Sequence, residues 1–213
     1  TGTDAIYIGS KLPFTRKYLK VSSANVATAS LAVSYWDGAE WRSAVNVYDG
    51  TSPAAVSLAQ AGYVSWETDK RYAWARDDTA VSGTEKVTGL GNVTLYDMYW
   101  VKLAWSANVA ATIDWLGDLF CSDTELGAEF PDLNRSAALT AWATSKTTWE
   151  EQRVAASKLV SQGVQAFQVA PEASLVMNTD ALMLACVQRT AAIIYAGFGE
   201  GYEDSWKQAL DEY

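Results

Sequence analysis

The stretch that decides the reading is Asn178–Tyr213, NTDALMLACVQRTAAIIYAGFGEGYEDSWKQALDEY. It opens with helix-start chemistry. Asn178 or Thr179 can serve as N-cap, its side-chain oxygen accepting a first-turn amide, and Asp180 lies where the positive end of the helix dipole favours a carboxylate. From Ala181 to Ala196 the clearly polar residues are Gln188, Arg189 and Thr190. Leu182, Leu184, Val187, Ile193, Ile194 and Tyr195 therefore point in nearly every direction around the axis, and a helix that is apolar all round must be covered on several sides. About fifteen apolar residues interrupted by an arginine are too few and too charged for a membrane span, so the expected cover is protein. Gly197, Gly199 and Gly201 are expected to end the helix, because glycine takes the left-handed C-cap conformation at no steric cost.

Beyond the glycines, Trp206, Ala209, Leu210 and Tyr213 recur at i, i+3, i+4 and i+7, one stripe of a short amphipathic helix with Glu203 and Asp204 near its start. Burying its large side chains is worth roughly 1.5–3 kcal/mol each, enough to fold it against a surface and not enough to hold it alone in water. Either it packs on the chain's own helices or it docks on another subunit or protein.

Moving upstream, the pattern stays helical back to Phe120. Ser122-Asp123-Thr124-Glu125 has capping-box form and is followed by Leu126, Phe130, Pro131 and Leu133, a short helix ended by the proline. Arg135–Thr144, with Leu139 and Trp142, reads as a second short helix. Thr148-Trp149-Glu150-Glu151 is a second capping box. The helix it starts places Trp149, Ala156, Leu159, Val160 and Gly163 on one stripe, with Glu150 in reach of Arg153. Val164–Met177, containing Pro171, reads as the loop back to the apolar helix.

Residues 1 to 120 read as β. Ala5–Gly9, Tyr18–Ser22, Leu31–Trp36, Ser43–Tyr48, Gly62–Glu67, Tyr99–Ser106 and Ala111–Trp115 are short runs rich in aromatic and β-branched residues, separated by turn signals. Leu31, Val33 and Tyr35 alternate with Ala32, Ser34 and Trp36, and Tyr99, Val101, Leu103 and Trp105 with Trp100, Lys102 and Ala104. Asp37-Gly38 and Asp49-Gly50 mark turns, and Lys70–Gly91 reads as a long irregular connection. The expected fold is α+β: an antiparallel β-sandwich module over residues 1–120, followed by a helical bundle domain over residues 121–213.

Composition excludes several function classes. With 49% hydrophobic and 19% charged residues, the 213-residue chain can build a sizeable core. Residues 1–120 carry 10 basic against 12 acidic side chains (net −2) and residues 121–213 carry 6 against 13 (net −7), which gives the overall −9. An acidic half argues against binding a phosphate backbone. There is no histidine, which removes the usual general base and most zinc or non-haem iron sites. Asp77 with Asp78, or Asp114 with Asp118, is the carboxylate pair a hydrolase would need, but close acidic pairs are usually solvated turns. The chain is expected not to be an enzyme and to use no cofactor or metal. Cys121 and Cys186 have no metal-ligand spacing and are expected to be free thiols. The opening residues show no charged-then-apolar signal pattern, and the chain is expected to act in aqueous solution.

Seven of the ten tryptophans (Trp36, Trp41, Trp66, Trp74, Trp100, Trp105, Trp115) fall in the β half. Indole faces stack on sugar rings, but sandwich cores use tryptophan routinely, so core or subunit packing is the expected role.

The order of a capped helix (Thr148–Gly163), a loop, a long apolar helix ending in Tyr195-Ala196-Gly197-Phe198-Gly199, and an acidic-started terminal helix with Trp206 and Tyr213 resembles the head-to-tail connector, or adaptor, proteins of tailed bacteriophages. The likeness covers roughly Asp123–Tyr213. The β half, with Tyr35-Trp36-Asp37-Gly38-Ala39-Glu40-Trp41 and Tyr99-Trp100-Val101-Lys102-Leu103, is similar to small sandwich modules on phage neck, tail and baseplate proteins. Many adaptors are helical only, so the β module departs from the common pattern. The resemblance implies a structural virion protein of the neck, made in the host cytoplasm, with no membrane association. It implies a homo-oligomeric ring, commonly of twelve copies, beneath the portal protein and above a downstream neck or tail protein, with DNA passing through unbound. It also implies partner contacts, to portal or ring neighbour, by Tyr202, Trp206, Ala209, Leu210 and Tyr213. The alternative is a carbohydrate- or receptor-binding module of a phage tail or baseplate protein, with tryptophans exposed on the sheet.

Overall fold

The computed structural model describes residues 5–167 and 179–199. The chain divides into two compact units, Thr1–Asp118 and Leu119–Tyr213.

Among the described residues, the first unit's named strands all pair antiparallel. Its strands are β1 (Ala5–Ser10), β2 (Arg16–Ser23), β3 (Leu31–Trp36), β4 (Trp41–Ser43), β5 (Val45–Asp49), β6 (Gly62–Glu67), β7 (Arg76–Asp77), β8 (Ala80–Val81), β9 (Thr84–Glu85), β10 (Met98–Trp105) and β11 (Thr112–Gly117). One sheet runs β1-β10-β3-β4 with β7 also on β10, a second runs β11-β2-β6-β5, and β8 and β9 form a small hairpin. The alternation read from sequence holds. Val33 and Tyr35 of β3 and Val101, Leu103 and Trp105 of β10 meet Leu19, Val64 and Trp66 of the other sheet in one core. Ser43–Tyr48 does not form the single strand expected of it. β4 pairs with β3 in the first sheet and β5 with β6 in the second, so the chain changes layer at Ala44. β5 is an edge strand exposing Val45, Val47 and Tyr48. Its edge is blunted by an irregular register between Val45 and Tyr48, with Asn46 at φ +50°.

The connection Lys70–Gly91 is more structured than expected, since it contains β7, β8 and β9. It supplies Val87 and Leu90 to a second, smaller cluster with Trp36, Trp41, Met98 and Trp100. Trp36 and Trp100 alternate with the sandwich-core residues, so this segment covers the opposite face of the first sheet. The indole N–H groups confirm the cover: that of Trp36 donates to Asp77 Oδ2 (3.2 Å), that of Trp100 to Asp77 O (3.1 Å) and that of Trp41 to Thr88 O (2.8 Å).

The Asp37-Gly38 turn joins β3 to β4 as its sequence signalled, with Gly38 at φ +100°. Asp37 Oδ1 accepts the amides of Ala39 and Glu40 at 2.8 Å each, and Oδ2 accepts Arg42 Nε at 2.5 Å. The Glu40 amide, the Arg42 guanidinium and the Ala39 amide hold the Asp37 carboxyl down at about 2, from 3.8. Folding therefore favours the ionised form. The turn's contribution is complete above about pH 4 and is lost as pH falls through about 2. Thermal melting followed from about pH 5 to about pH 2 is expected to show falling stability of the β unit, and Asp37→Asn is expected to flatten part of that fall. A variant that retains the full wild-type slope would remove Asp37 as a cause.

The second unit holds α1 (Asp123–Glu129), α2 (Ser136–Trp142), α3 (Glu150–Ala166) and α4 (Thr179–Phe198). The α1 capping box is present in both directions, Glu125 N to Ser122 Oγ (3.2 Å) and Ser122 N to Glu125 Oε2 (2.6 Å). The second box is not formed. The N-cap of α3 is Trp149, without a side-chain cap. The Thr148 hydroxyl instead donates to Asp123 Oδ2, and Asp123 Oδ1 accepts the Trp149 amide at 3.2 Å. A carboxylate from α1 thus supplies the acceptor that local sequence had assigned to Thr148. Arg153 is buried beside it, with Nε 3.0 Å from Asp123 Oδ1 and Nη1 donating to Cys121 O at 3.1 Å. The expected α3 stripe faces the core, with Trp149, Ala156 and Val160 buried. α3 also runs on to Ala166, through residues expected to be loop.

Among the described residues, α4 is the core of this unit: Leu182, Cys186, Val187, Ala191, Ala192 and Ile194 are buried with Leu126, Leu133, Leu139 and Trp149. At 20 residues it is longer than the sequence reading allowed, and by length and apolarity it could cross a membrane. Its burial against α1 and α3 is that of a core helix. Gly197 does not end it. The helix runs through Gly197 to Phe198, and the left-handed residue is Gly199, at φ +79°, whose amide donates to Ala196 O.

Candidate functional site

The residues expected to bind partners, Tyr202, Trp206, Ala209, Leu210 and Tyr213, lie outside the described residues, as do Asn178 and Gly201. What the structure describes is the surface from which that segment leaves.

The last turns of α4 meet α2 there. Arg135 precedes α2 in extended backbone without a side-chain cap, and the helix carries small residues at 137, 138 and 141. Those alanines leave a groove of about 370 Å3 whose wall is Leu133, Tyr195 and Phe198, with Asp132 at its rim. The size is at the low end of the roughly 300–1,000 Å3 typical of ligand clefts. Its walls are braced by aromatic edge contacts: Phe130 to Tyr195 at 6.1 Å, Trp142 to Phe198 at 5.4 Å and Trp142 to Trp149 at 5.5 Å. The outer edge of the Trp142 ring approaches Gly197 so closely that a Cβ there would come within 2.0 Å of it. Only glycine permits that approach. Along the same helix Ala181 and Leu184 are exposed, and Phe167 at the end of α3 is 82% exposed. Between Leu184 and the groove the same face of α4 is covered, with Gln188 and Ala191 buried, so the exposed start of α4 and the groove at its end are separate patches.

A second hollow, about 330 Å3, is lined by Trp142, Ser145, Lys146, Thr147, Thr148 and Glu151. Its lysine is engaged, lying over the Trp149 ring at 5.3 Å and 3.7 Å from Glu151 Oε2.

The carboxylates weighed as an acid–base pair have structural partners. Asp77 accepts the Trp36 indole, the Asp78 amide at 2.9 Å and an ion pair from Lys86, and Asp78 accepts the Asp97 amide at 2.7 Å. Asp114 accepts the Ser22 hydroxyl at 2.6 Å, and Asp118 takes the Lys17 ammonium at 2.8 Å on both oxygens. Among the described residues no group of three or more acidic or cysteine side chains could hold a metal ion. Of the seven tryptophans in the β unit, Trp36, Trp66, Trp100 and Trp105 are buried and Trp41, Trp74 and Trp115 are half-buried.

Comparison with known protein families, with curated proteins and with solved structures finds no match in any of the three. The groove was legible only in part. Ala137, Ala138 and Ala141 on one side of α2 are a small-residue pattern visible in sequence, but the partner wall comes from α4, more than fifty residues away.

Proposed function

We propose that this chain is a structural subunit of an assembly, a head-to-tail adaptor of a tailed bacteriophage whose copies ring the DNA passage beneath the portal. The observation that carries the reading is the groove between α2 and the end of α4 at Tyr195 and Phe198, with a separate exposed apolar patch at Leu184 near the start of α4. A subunit of a cyclic ring presents two different patches, one to each neighbour, and the groove and the exposed start of α4 at Leu184 fit that pair, covered by further copies of the chain. The amphipathic stripe of Trp206, Leu210 and Tyr213 is left to reach the portal, its modest single contact multiplied around the ring. The net −7 of residues 121–213 suits a wall that repels passing DNA.

The test is electron microscopy and mass photometry of the chain mixed with the portal protein of the phage that encodes it. A bound ring of twelve copies of 23.1 kDa adds roughly 280 kDa. Leu184→Glu is expected to prevent the ring while leaving the helical circular dichroism unchanged. Intact portal particles with no bound chain would overturn the proposal.

A further inference from the structure

Cys121 lies immediately before the α1 capping box and Cys186 in the first half of α4, and both are buried, at 1% and 0% exposure. They are free, with their sulfurs 2.9 Å apart. That is closer than the roughly 3.5–4.0 Å at which non-bonded heavy atoms rest against each other. The surroundings are built for two sulfurs. Ser157 Oγ accepts the Phe120 amide at 3.2 Å, which frees its hydrogen for Cys186 Sγ at 3.3 Å. Thr190 donates to Cys186 O at 2.7 Å and keeps its oxygen 3.7 Å from Cys121 Sγ. We propose that Cys121 and Cys186 are an oxidation site, joined by a hydroperoxide such as hydrogen peroxide into an intrachain disulfide that staples the start of α1 to α4.

The two sulfurs are unequal. The hydrogen bond from Cys121 holds the Cys186 thiol below the ordinary range against the opposing effect of burial, and the same bond together with burial pushes Cys121 up. With the Ser157 hydroxyl also placed to donate to it at 3.3 Å, Cys186 is the sulfur that ionises and attacks. Its thiolate takes one peroxide oxygen and releases hydroxide, becoming a sulfenic acid. The Cys121 sulfur then attacks the Cys186 sulfur, and its proton leaves with the sulfenic hydroxyl as water. Two thiols lose two hydrogens and the peroxide becomes two waters.

The closed loop, from 121 to 186, contains α1, α2 and α3 whole, so the cross-link restrains the unfolded chain over most of the unit. The experiment uses the full wild-type chain, treated with a small excess of hydrogen peroxide and then alkylated in denaturant. The expected product is a monomer about 2 Da lighter with no alkylatable thiol, a Cys121–Cys186 peptide on digestion, and a melting temperature of the helical unit raised by on the order of 10 °C and restored by reductant. Two thiols still open to alkylation, a sulfinic acid on either cysteine, or cross-linked dimers in place of the light monomer would each overturn the proposal.

Discussion

Replacing Asp123 with alanine is expected to destabilise the helical unit by about 3 kcal/mol, the low end of the range for stranding a buried charge, because the Asp123 side chain is itself 30% exposed. The loss exceeds that of one hydrogen bond. Asp123 is the common acceptor for the Thr148 hydroxyl, the Trp149 amide and the Arg153 guanidinium. Without it, Arg153 keeps its bonds to Cys121 O and to Thr148 Oγ1, at 3.1 and 3.3 Å, but has no countercharge. Urea unfolding followed by helical circular dichroism measures the change. The double variant Asp123→Ala with Arg153→Met is expected to recover much of the loss, since a flexible apolar chain of similar length leaves no charge to compensate. A single variant within about 0.5 kcal/mol of wild type would mean that the guanidinium reaches water without its partner.

Trp149→Ala is expected to cost about 3–5 kcal/mol, the range for deleting a buried indole. Trp149 is 1% exposed, packs edge-on against Trp142 and Phe198, and donates its indole N–H to Leu133 O at 2.7 Å. Trp149→Phe separates the two contributions. It keeps most of the packing and leaves the Leu133 carbonyl unpaired, so its cost is expected near 1–2 kcal/mol. Both variants should also loosen the groove, because Phe198 forms one of its walls. If Trp149→Ala unfolds at the wild-type urea midpoint, the aromatic brace is not what holds α2 against α4.

Local patterns carried the fold where one segment's own chemistry was decisive. Short runs of aromatic and β-branched residues placed β3 and β6 at their observed ends, the Asp37-Gly38 turn was legible, and the Ser122–Glu125 box formed as written. The expectations that failed were those in which a distant group outbid a local one. Thr148 has a capping residue's chemistry, yet the Asp123 carboxylate takes both its hydroxyl and the amide beside it. Gly197 looked like a helix stop but is glycine because the edge of the Trp142 ring abuts it. The connection after Lys70 showed no period because its work is to cover Trp36 and Trp100, which needs a few apolar contacts rather than a regular strand. Of the candidate site, the apolar character of α4 was legible and its groove was not, since a groove is the gap between two helices and belongs to neither sequence alone.

The passage of the chain through Ala44 has a mechanical consequence. With β4 hydrogen-bonded into one layer and β5 into the other, and the Ala44 amide donating to Val33 O at 2.9 Å, the crossing between the layers at this point is one residue long, shorter than the other connections between them. That crossing spans about 3.5 Å, so neither layer can slide or lift there by more than that before a ladder tears. Pulling the layers apart at this corner therefore loads the β3–β4 and β5–β6 pairings together rather than a slack loop.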